Sequence, residues 1–252
     1  MKEVPPGFLG LPASPGKSRR AAALLGPPSA FFAALLQASL QVELFDEEMG
    51  CEPFRQGIVT GRYPAALADG KAEEFAVRGT FVFRVGYPPG RPVTAALPGG
   101  AAVVFSPSGL PVGWGDELPR ERGRLLLLGR RTGAPAAGGT AGLTEDLSAR
   151  ILVRKGISAL GRKRFPSPPL IVIDPLVLDP SVLPVPGNVE PGGLDWYLMT
   201  DLLRALCTRQ RPAGAVLLPC RLPRRDPGAA FVLARLAAKL LAYVLSTEKG
   251  GR

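Results

Sequence analysis

Histidine is absent from this chain of 252 residues. Histidine is the commonest general base near neutral pH and the commonest side-chain ligand for transition metals. Its absence excludes catalytic groups of the Ser-His-Asp and Cys-His types, and it removes the usual ligands of two-metal hydrolytic sites. A catalytic site in this chain would have to be built from Asp, Glu, Lys, Tyr, Ser and Cys.

Cysteine is scarce as well, with only Cys51, Cys207 and Cys220. An odd number of cysteines without C-x-x-C spacing argues against a disulfide framework and against structural zinc, and no cofactor is predicted. We expect an intracellular, reducing compartment, either the mitochondrial matrix or the cytoplasm. The first ten residues contain no apolar stretch of signal-peptide length, so we expect any presequence to be missing from this chain.

Acidic residues are outnumbered, since 31 Lys and Arg stand against 21 Asp and Glu. This excess favours a polyanion or an acidic protein surface as a partner. The longest apolar segment, residues 228–245, is interrupted by Arg235 and Lys239 one turn apart. It therefore predicts an amphipathic core helix, and no membrane insertion is expected.

Short apolar runs bounded by Gly or Pro recur along the chain and predict β-strands. They lie at residues 7–11, 101–105, 124–129, 150–154, 169–174 and 214–219. Helical spacing predicts helices over residues 28–40, 194–206 and 228–245. Together they predict a three-layer α/β/α fold with a mainly parallel sheet, as a single domain over residues 1–252. In such folds the functional crevice lies beyond the carboxyl ends of the strands, here after Phe105, Leu128, Asp174 and Leu218.

The segment LIVIDPLVLDPSVLPVPGNVEPGGL, residues 170–194, resembles the pattern S-x-D-x-D-x-x-D-P followed by P-x-x-G-x-P-x-x-G-G-L. That pattern is typical of the ureohydrolase superfamily, and of arginases in particular. Other segments follow in the family's order and are similar to its opening strand and helix, its G-G-D-H-S, D-A-H-x-D and S-G-N-x-H-G-x-P motifs, and its closing strand and helix. They are residues 7–36, 97–109, 124–135, 137–144 and 214–245. The resemblance implies an arginase-like fold.

The resemblance also implies what has been lost. In that family, two Mn²⁺ ions held by His and Asp side chains at strand ends activate a hydroxide. The positions of the former metal site are Ala102, Gly129, Arg131, Gly133, Asp174 and Leu176. One carboxylate in six positions cannot hold two metals, so neither a metal nor a catalytic residue is predicted. The substrate-binding positions are changed too, to Ala141 and Cys220, while Asp179 corresponds to a turn residue.

The arginines near the lost metal site suggest a replacement for it. We expect Arg130 or Arg131 to pair with Asp174, so that this carboxylate is not left alone in a closed cleft. Cys220 has no histidine to activate it as a nucleophile. The Gly-rich segments at residues 98–101 and 138–142 could cradle an anion beside the two arginines, although inherited turn geometry explains these glycines equally well.

The chain is shorter than an arginase around residues 155–169, and the residues that remain there are strongly basic. Losing an element beside the sheet exposes surface that a partner subunit would cover, so an oligomer is expected. The candidate anion- or partner-binding residues are Arg130, Arg131, Arg154, Lys155, Arg162, Lys163 and Arg164.

The sequence therefore predicts a catalytically inactive arginase-like pseudoenzyme. It would act as a structural or regulatory subunit of a larger protein assembly, or beside an active paralogue. Two alternatives stay open. One is an RNA-contacting subunit of a mitochondrial ribosome or another ribonucleoprotein. The other is a metal-free enzyme or small-anion binder that uses the remodelled cleft.

Overall fold

Near-continuous apolar strands dominate the architecture. The structure is a computed structural model, and it describes residues 22–43, 45–52, 57–87, 100–110, 125–131, 145–161, 164–223 and 226–246. Its strands are β1 (Ala22–Gly26), β2 (Ile58–Arg62), β3 (Phe81–Val85), β4 (Ala102–Phe105), β5 (Leu125–Leu128), β6 (Glu145–Leu147), β7 (Leu170–Ile173) and β8 (Gly214–Leu217). They form one sheet in the order β2-β1-β3-β8-β7-β4-β5-β6, and every pairing is parallel.

Helices lie on both faces of this sheet. They are α1 (Ala30–Ala38), α2 (Ala65–Val77), α3 (Ala149–Lys155), α4 (Trp196–Arg209) and α5 (Gly228–Ser246). Side chains alternate across each strand, so Leu24 of β1 faces the core shared with α1, α3, α4 and α5, whereas Ala23 and Leu25 face α2. The predicted three-layer α/β/α fold with a parallel sheet is confirmed.

The helices begin and pack as their sequences dictate. At the start of α4, the side chain of Asp195 accepts a hydrogen bond of 2.8 Å from the Leu198 N–H. This cap satisfies one of the amide groups that a first helical turn leaves without a partner. Apolar residues at helical spacing then bury one side of α4 against α5 and the sheet.

The closing helix α5 is long and apolar enough to cross a membrane by length and composition alone. Of its 19 residues, 13 are buried within the protein, and it packs against α1 and α4. Lys239, one of its two charged residues, pairs with Asp46 and Glu48 at 2.9 Å each. These contacts agree with the predicted core helix.

The predicted strands at residues 101–105, 124–129, 169–174 and 214–219 are confirmed as β4, β5, β7 and β8. The predicted strand at residues 150–154 is wrong, because these residues lie in α3. Their β-branched residues favour a strand, but the fold buries Ala149 and Leu152, three residues apart, on one side of a helix.

Five elements were not predicted from the sequence. They are β1, β2, β3, β6 and α2. The run at residues 7–11 lies outside the described residues, as do both chain ends, so the prediction of a single domain over residues 1–252 stays a prediction. After α3 the chain makes a 3₁₀ turn at Gly156–Leu160 and then reaches β7.

Two glycines test how tightly α1 packs on the sheet. A Cβ at Gly26 would lie 2.4 Å from the Phe32 ring, whereas a Cβ at Gly70 of α2 meets nothing within 4 Å. We expect Gly26→Ala to lower the free energy of unfolding by about 2 kcal/mol, because the aromatic ring must move. Gly70→Ala should raise it by up to about 1 kcal/mol through helix propensity. Urea denaturation measures both, and equal effects would contradict this packing.

Candidate functional site

The residues that follow five neighbouring strands form a row at the carboxyl edge of the sheet. In sheet order they are Gly86, Leu218, Asp174, Ser106 and Gly129. The amide N–H of each donates to the carbonyl of the last residue of the next strand, over 2.8 to 3.0 Å. The crevice predicted after Phe105, Leu128, Asp174 and Leu218 is therefore one continuous edge.

Asp174 is the acidic residue in this row. One of its carboxylate oxygens accepts a hydrogen bond of 3.0 Å from the Leu176 N–H, which begins the 3₁₀ turn at Pro175–Val177. Burial raises the pKa of the Asp174 carboxyl. The Leu176 N–H, the nearby Ser106 hydroxyl and the charge of Arg131 lower it only in part. The Ser106 hydroxyl is buried close to the carboxylate, but its geometry does not make a full hydrogen bond.

The Arg131 side chain is buried, with 6% of its surface exposed. Its Nη2 lies 2.8 Å from Asn188 Oδ1, 2.9 Å from the Leu176 carbonyl and 3.1 Å from the Leu178 carbonyl. The Asn188 amide nitrogen donates in turn to the carbonyls of Leu178 and Leu183. Arg131 therefore binds the loop that follows β7 through backbone oxygens.

The expected pairing of an arginine with Asp174 is not found in the structure. The Arg131 guanidinium hydrogen-bonds to the two carbonyls and the amide of the loop, and it acts on Asp174 only through its charge. Arg130 pairs instead with Asp146 of β6. The Arg130 carbonyl also accepts from the N–H of Ala149, which joins the β5 end to the start of α3.

Gly129 has no room for a side chain. Its φ is +87°, and a Cβ there would lie 2.4 Å from Cγ2 of Val177. This φ strains any residue with a side chain. An aspartate at position 129, where the resemblance places a former metal ligand, could not be accommodated unless Val177 moved.

Asp179 organises the far side of the same loop. Its carboxylate accepts from the N–H and hydroxyl of Ser181 and from the N–H groups of Gly192 and Gly193, over 2.7 to 3.2 Å. Burial alone would raise the pKa of Asp179, but these hydrogen bonds outweigh it and hold the pKa below its ordinary value. Asp179 is a turn residue here.

The remaining predicted positions divide into three groups. Ala102 is the first residue of β4 and is fully buried, so it lies at the amino end of its strand and does not join the row. Ser106 occupies the carboxyl end of that strand. Burial raises the pKa of the Cys220 thiol to about 12, and the negative charge of nearby Asp174 contributes to the same shift. Gly133 and Ala141 lie outside the described residues.

The donor set at this edge does not fit the pair of Mn²⁺ ions that the fold family implies. Two bridged metals require several converging carboxylates or imidazoles. Among the residues that the structure describes, no three His, Cys, Asp or Glu side chains come together in a way that could hold a metal ion. At the strand ends, a buried cation lies near the one carboxylate, and a neutral thiol lies beside it.

A cavity of about 280 Å³ lies elsewhere, between α5 and residues 41–43 and 45–48. Its walls carry charges of both signs, and they include none of the residues that follow the strands. It is therefore separate from the carboxyl edge of the sheet.

Sequence reasoning missed two residues of the site. Asn188 lies in the motif-bearing segment 170–194, but nothing in the pattern marks it as the partner of a buried arginine. Ser106 would have been found by counting one residue past the predicted strand at 101–105. The basic residues Arg162 and Lys163 lie outside the described residues, and the RNA, oligomer and anion-binding predictions stay predictions.

Comparison with known proteins finds similarity to a ureohydrolase in sequence and to solved structures in fold. No protein-family model matches the chain. The chain is 26% identical to the N(1)-aminopropylagmatine ureohydrolase of Synechocystis sp. over 252 aligned positions, which cover 83% of this chain and 81% of that relative.

Two solved structures share the fold over almost their whole length. The formiminoglutamase of Trypanosoma cruzi, solved with Mn²⁺, matches with a TM-score of 0.76 and 14% identity, covering 95% of this chain and 98% of that one. The agmatine ureohydrolase of Thermoplasma volcanium matches with a TM-score of 0.71 and 14% identity, covering 100% and 96%.

Removal of the buried guanidinium tests its role in holding the loop. Arg131→Met should lower the free energy of unfolding by about 3 kcal/mol, because it leaves the buried Asn188 amide oxygen and the partly buried Leu176 carbonyl without this donor. Arg130→Met is the matched control, since its ion pair with Asp146 is partly exposed, and it should cost less than about 1 kcal/mol. Urea denaturation measures both, and an Arg131→Met protein as stable as the control would contradict the network.

The raised pKa of Asp174 gives a pH dependence of known sign. The folded protein favours the protonated carboxyl, so this contribution to stability is fully present below pH 3.8, the ordinary pKa of Asp, and is lost as pH rises through the raised value. Asp174→Asn should therefore raise the urea midpoint at neutral pH, with the difference vanishing below pH 3.8.

Asp179→Asn is the control with the opposite sign, because the pKa of Asp179 is lowered. Its stabilising contribution is present above pH 3.8 and is lost as pH falls through the lowered pKa. The substitution should lower the urea midpoint at neutral pH. The same pH profile for both variants would show that Asp174 is not disfavoured as an anion.

Proposed function

Because the chain belongs to the arginase-like ureohydrolase superfamily, we propose that it is a catalytically inactive member that serves as a structural or regulatory subunit of a larger protein assembly. The observation that carries this proposal is the buried Arg131 guanidinium, hydrogen-bonded to the loop beside the strand ends. A fixed cation there repels divalent metal ions and supplies no lone pair to bind them.

Three further features support the loss of catalysis. Gly129 has no space for a ligand side chain. Cys220 is held as a neutral thiol, and a thiol of that kind is a poor nucleophile. No histidine exists anywhere in the chain to act as a general base or a metal ligand.

The completeness of the fold supports the proposed role as a subunit. The parallel sheet and its covering helices are complete enough to match the Thermoplasma volcanium agmatine ureohydrolase and the Trypanosoma cruzi formiminoglutamase over nearly their full length. Hydrogen bonds from Arg131, within the loop from Asn188, and to the carboxylate of Asp179 hold the described loop at residues 174–194 together. A scaffold that is preserved without the metal donor set supports a structural or regulatory role over a catalytic one.

Metal content and activity test the loss of catalysis directly. The full chain should be produced with added Mn²⁺, passed through gel filtration, and measured by mass spectrometry of metals. We expect far less than one Mn per chain and no release of urea from arginine or agmatine. The Thermoplasma volcanium agmatine ureohydrolase, prepared in the same way, is the positive control. Two Mn per chain, with urea release abolished by a chelator, would overturn the proposal.

A further inference from the structure

The helix α3 and the 3₁₀ turn after it expose an unusual set of side chains. Ile151 is 38% exposed, Val153 58% and Ile157 43%, all within seven residues of the chain. They alternate with exposed cations. We call this region the α3 surface, and it consists of Arg150, Ile151, Val153, Arg154, Lys155 and Ile157.

The aliphatic residues of the α3 surface are not used by the protein's own core. In α3 itself, Ala149 and Leu152 make the buried contacts, and Leu160 does so in the turn that follows. Ile and Val are weaker helix formers than Leu, Lys or Glu. Exposed Ile and Val therefore add nothing to the helix propensity of α3. Ile151 and Val153 lie on different sides of the helix because they are two residues apart. Val153 and Ile157 are the exposed aliphatic residues that flank Arg154 and Lys155 in the chain.

The charge of the α3 surface is uncompensated. Between Leu147 and Ile173 the chain has six Lys and Arg and no Asp or Glu. Exposed cations elsewhere, such as Arg78 and Arg204, pair with carboxylates. Within the described part of the chain, the three cations of the α3 surface have no such partner.

We propose that the α3 surface is the docking site for an acidic, aliphatic segment of a partner protein. This inference rests on the proposed function as a subunit, and it names the chemistry of the partner. Carboxylates of that segment would pair with Arg150, Arg154 and Lys155, while its aliphatic side chains would bury Val153 and Ile157. The two kinds of contact alternate along one short element, so a single segment can make both.

The composition of the α3 surface favours protein over RNA or lipid. Proteins that bind single-stranded RNA place aromatic side chains beside their cations so that bases can stack, and this surface has none. Helices that lie in a membrane interface carry Trp, Phe or Leu along an extended apolar face. The α3 helix has only seven residues, and its exposed apolar residues are all Ile and Val.

Defined polymers can test this chemistry with the full chain. Fluorescence anisotropy should compare a labelled random copolymer of glutamate and leucine with polyglutamate, poly(U) RNA, and vesicles of phosphatidylserine and phosphatidylcholine. We expect the glutamate–leucine copolymer to bind most tightly. Val153→Ser with Ile157→Ser should weaken it by about tenfold and leave polyglutamate binding unchanged, because only the copolymer buries aliphatic surface.

Matched variants separate the α3 surface from general effects. Leu67→Ser with Val77→Ser removes two exposed aliphatics of α2 and should change nothing. Arg154→Glu with Lys155→Glu should weaken both acidic polymers, whereas Arg62→Glu, an exposed cation on the edge strand β2, should not. Because all these positions are exposed, the urea midpoint of each variant should match that of the parent.

The outcomes are distinguishable from those of the metal test. Tighter binding of poly(U) or of vesicles than of the copolymer would overturn the inference in favour of RNA or membrane. The inference would also be overturned if the variant with Val153→Ser and Ile157→Ser bound the copolymer as tightly as the parent protein does. Copolymer binding that is sensitive to them supports docking even if the chain proves to hold Mn²⁺, in which case only the loss of catalysis would fail.

Discussion

The buried guanidinium of Arg131 is the contact on which the carboxyl edge of the sheet depends. A charge taken out of water is costly unless polar groups surround it. Here two carbonyls and one amide oxygen from the loop after β7 provide that surrounding. These hydrogen bonds connect the end of β5 to the segment at residues 174–194, because the buried guanidinium finds its partners in that segment. Asn188 extends the same network to Leu183.

The same contact supports the proposed loss of metal-assisted hydrolysis at this edge. A cationic centre disfavours a second cation nearby, and the effect is strongest where water is excluded. Burial raises the pKa of Asp174, the one carboxyl in the row, so ionising it to bind a metal costs more than for an ordinary Asp. Val177 fills the space that a side chain at position 129 would need. Charge, protonation and packing therefore act in the same direction.

The sequence predicted the parts of the fold that are encoded locally. The strands β4, β5, β7 and β8 are continuous apolar runs, and α1, α4 and α5 have helical spacing, so pattern alone was sufficient. The short strand β6 reads Glu-Asp-Leu and lacks such a pattern, because its place depends on pairing with β5. The run at residues 150–154 has strand-like composition, but tertiary packing made it a helix.

The candidate site was predicted in composition but not in geometry, for a related reason. The changes at the metal positions that the resemblance implies, and the cations near them, could be counted from the sequence. The partners of Arg131 are mostly backbone carbonyls, which every residue possesses. Arg131 and the cations of α3 also differ in their exposure to solvent. Arg131 is buried and its Nη2 hydrogen-bonds within the protein, so this charge is not presented at the surface, while the cations of α3 remain exposed. In the proposed docking, the attraction of the exposed α3 cations for an acidic segment weakens with salt while the apolar contribution persists.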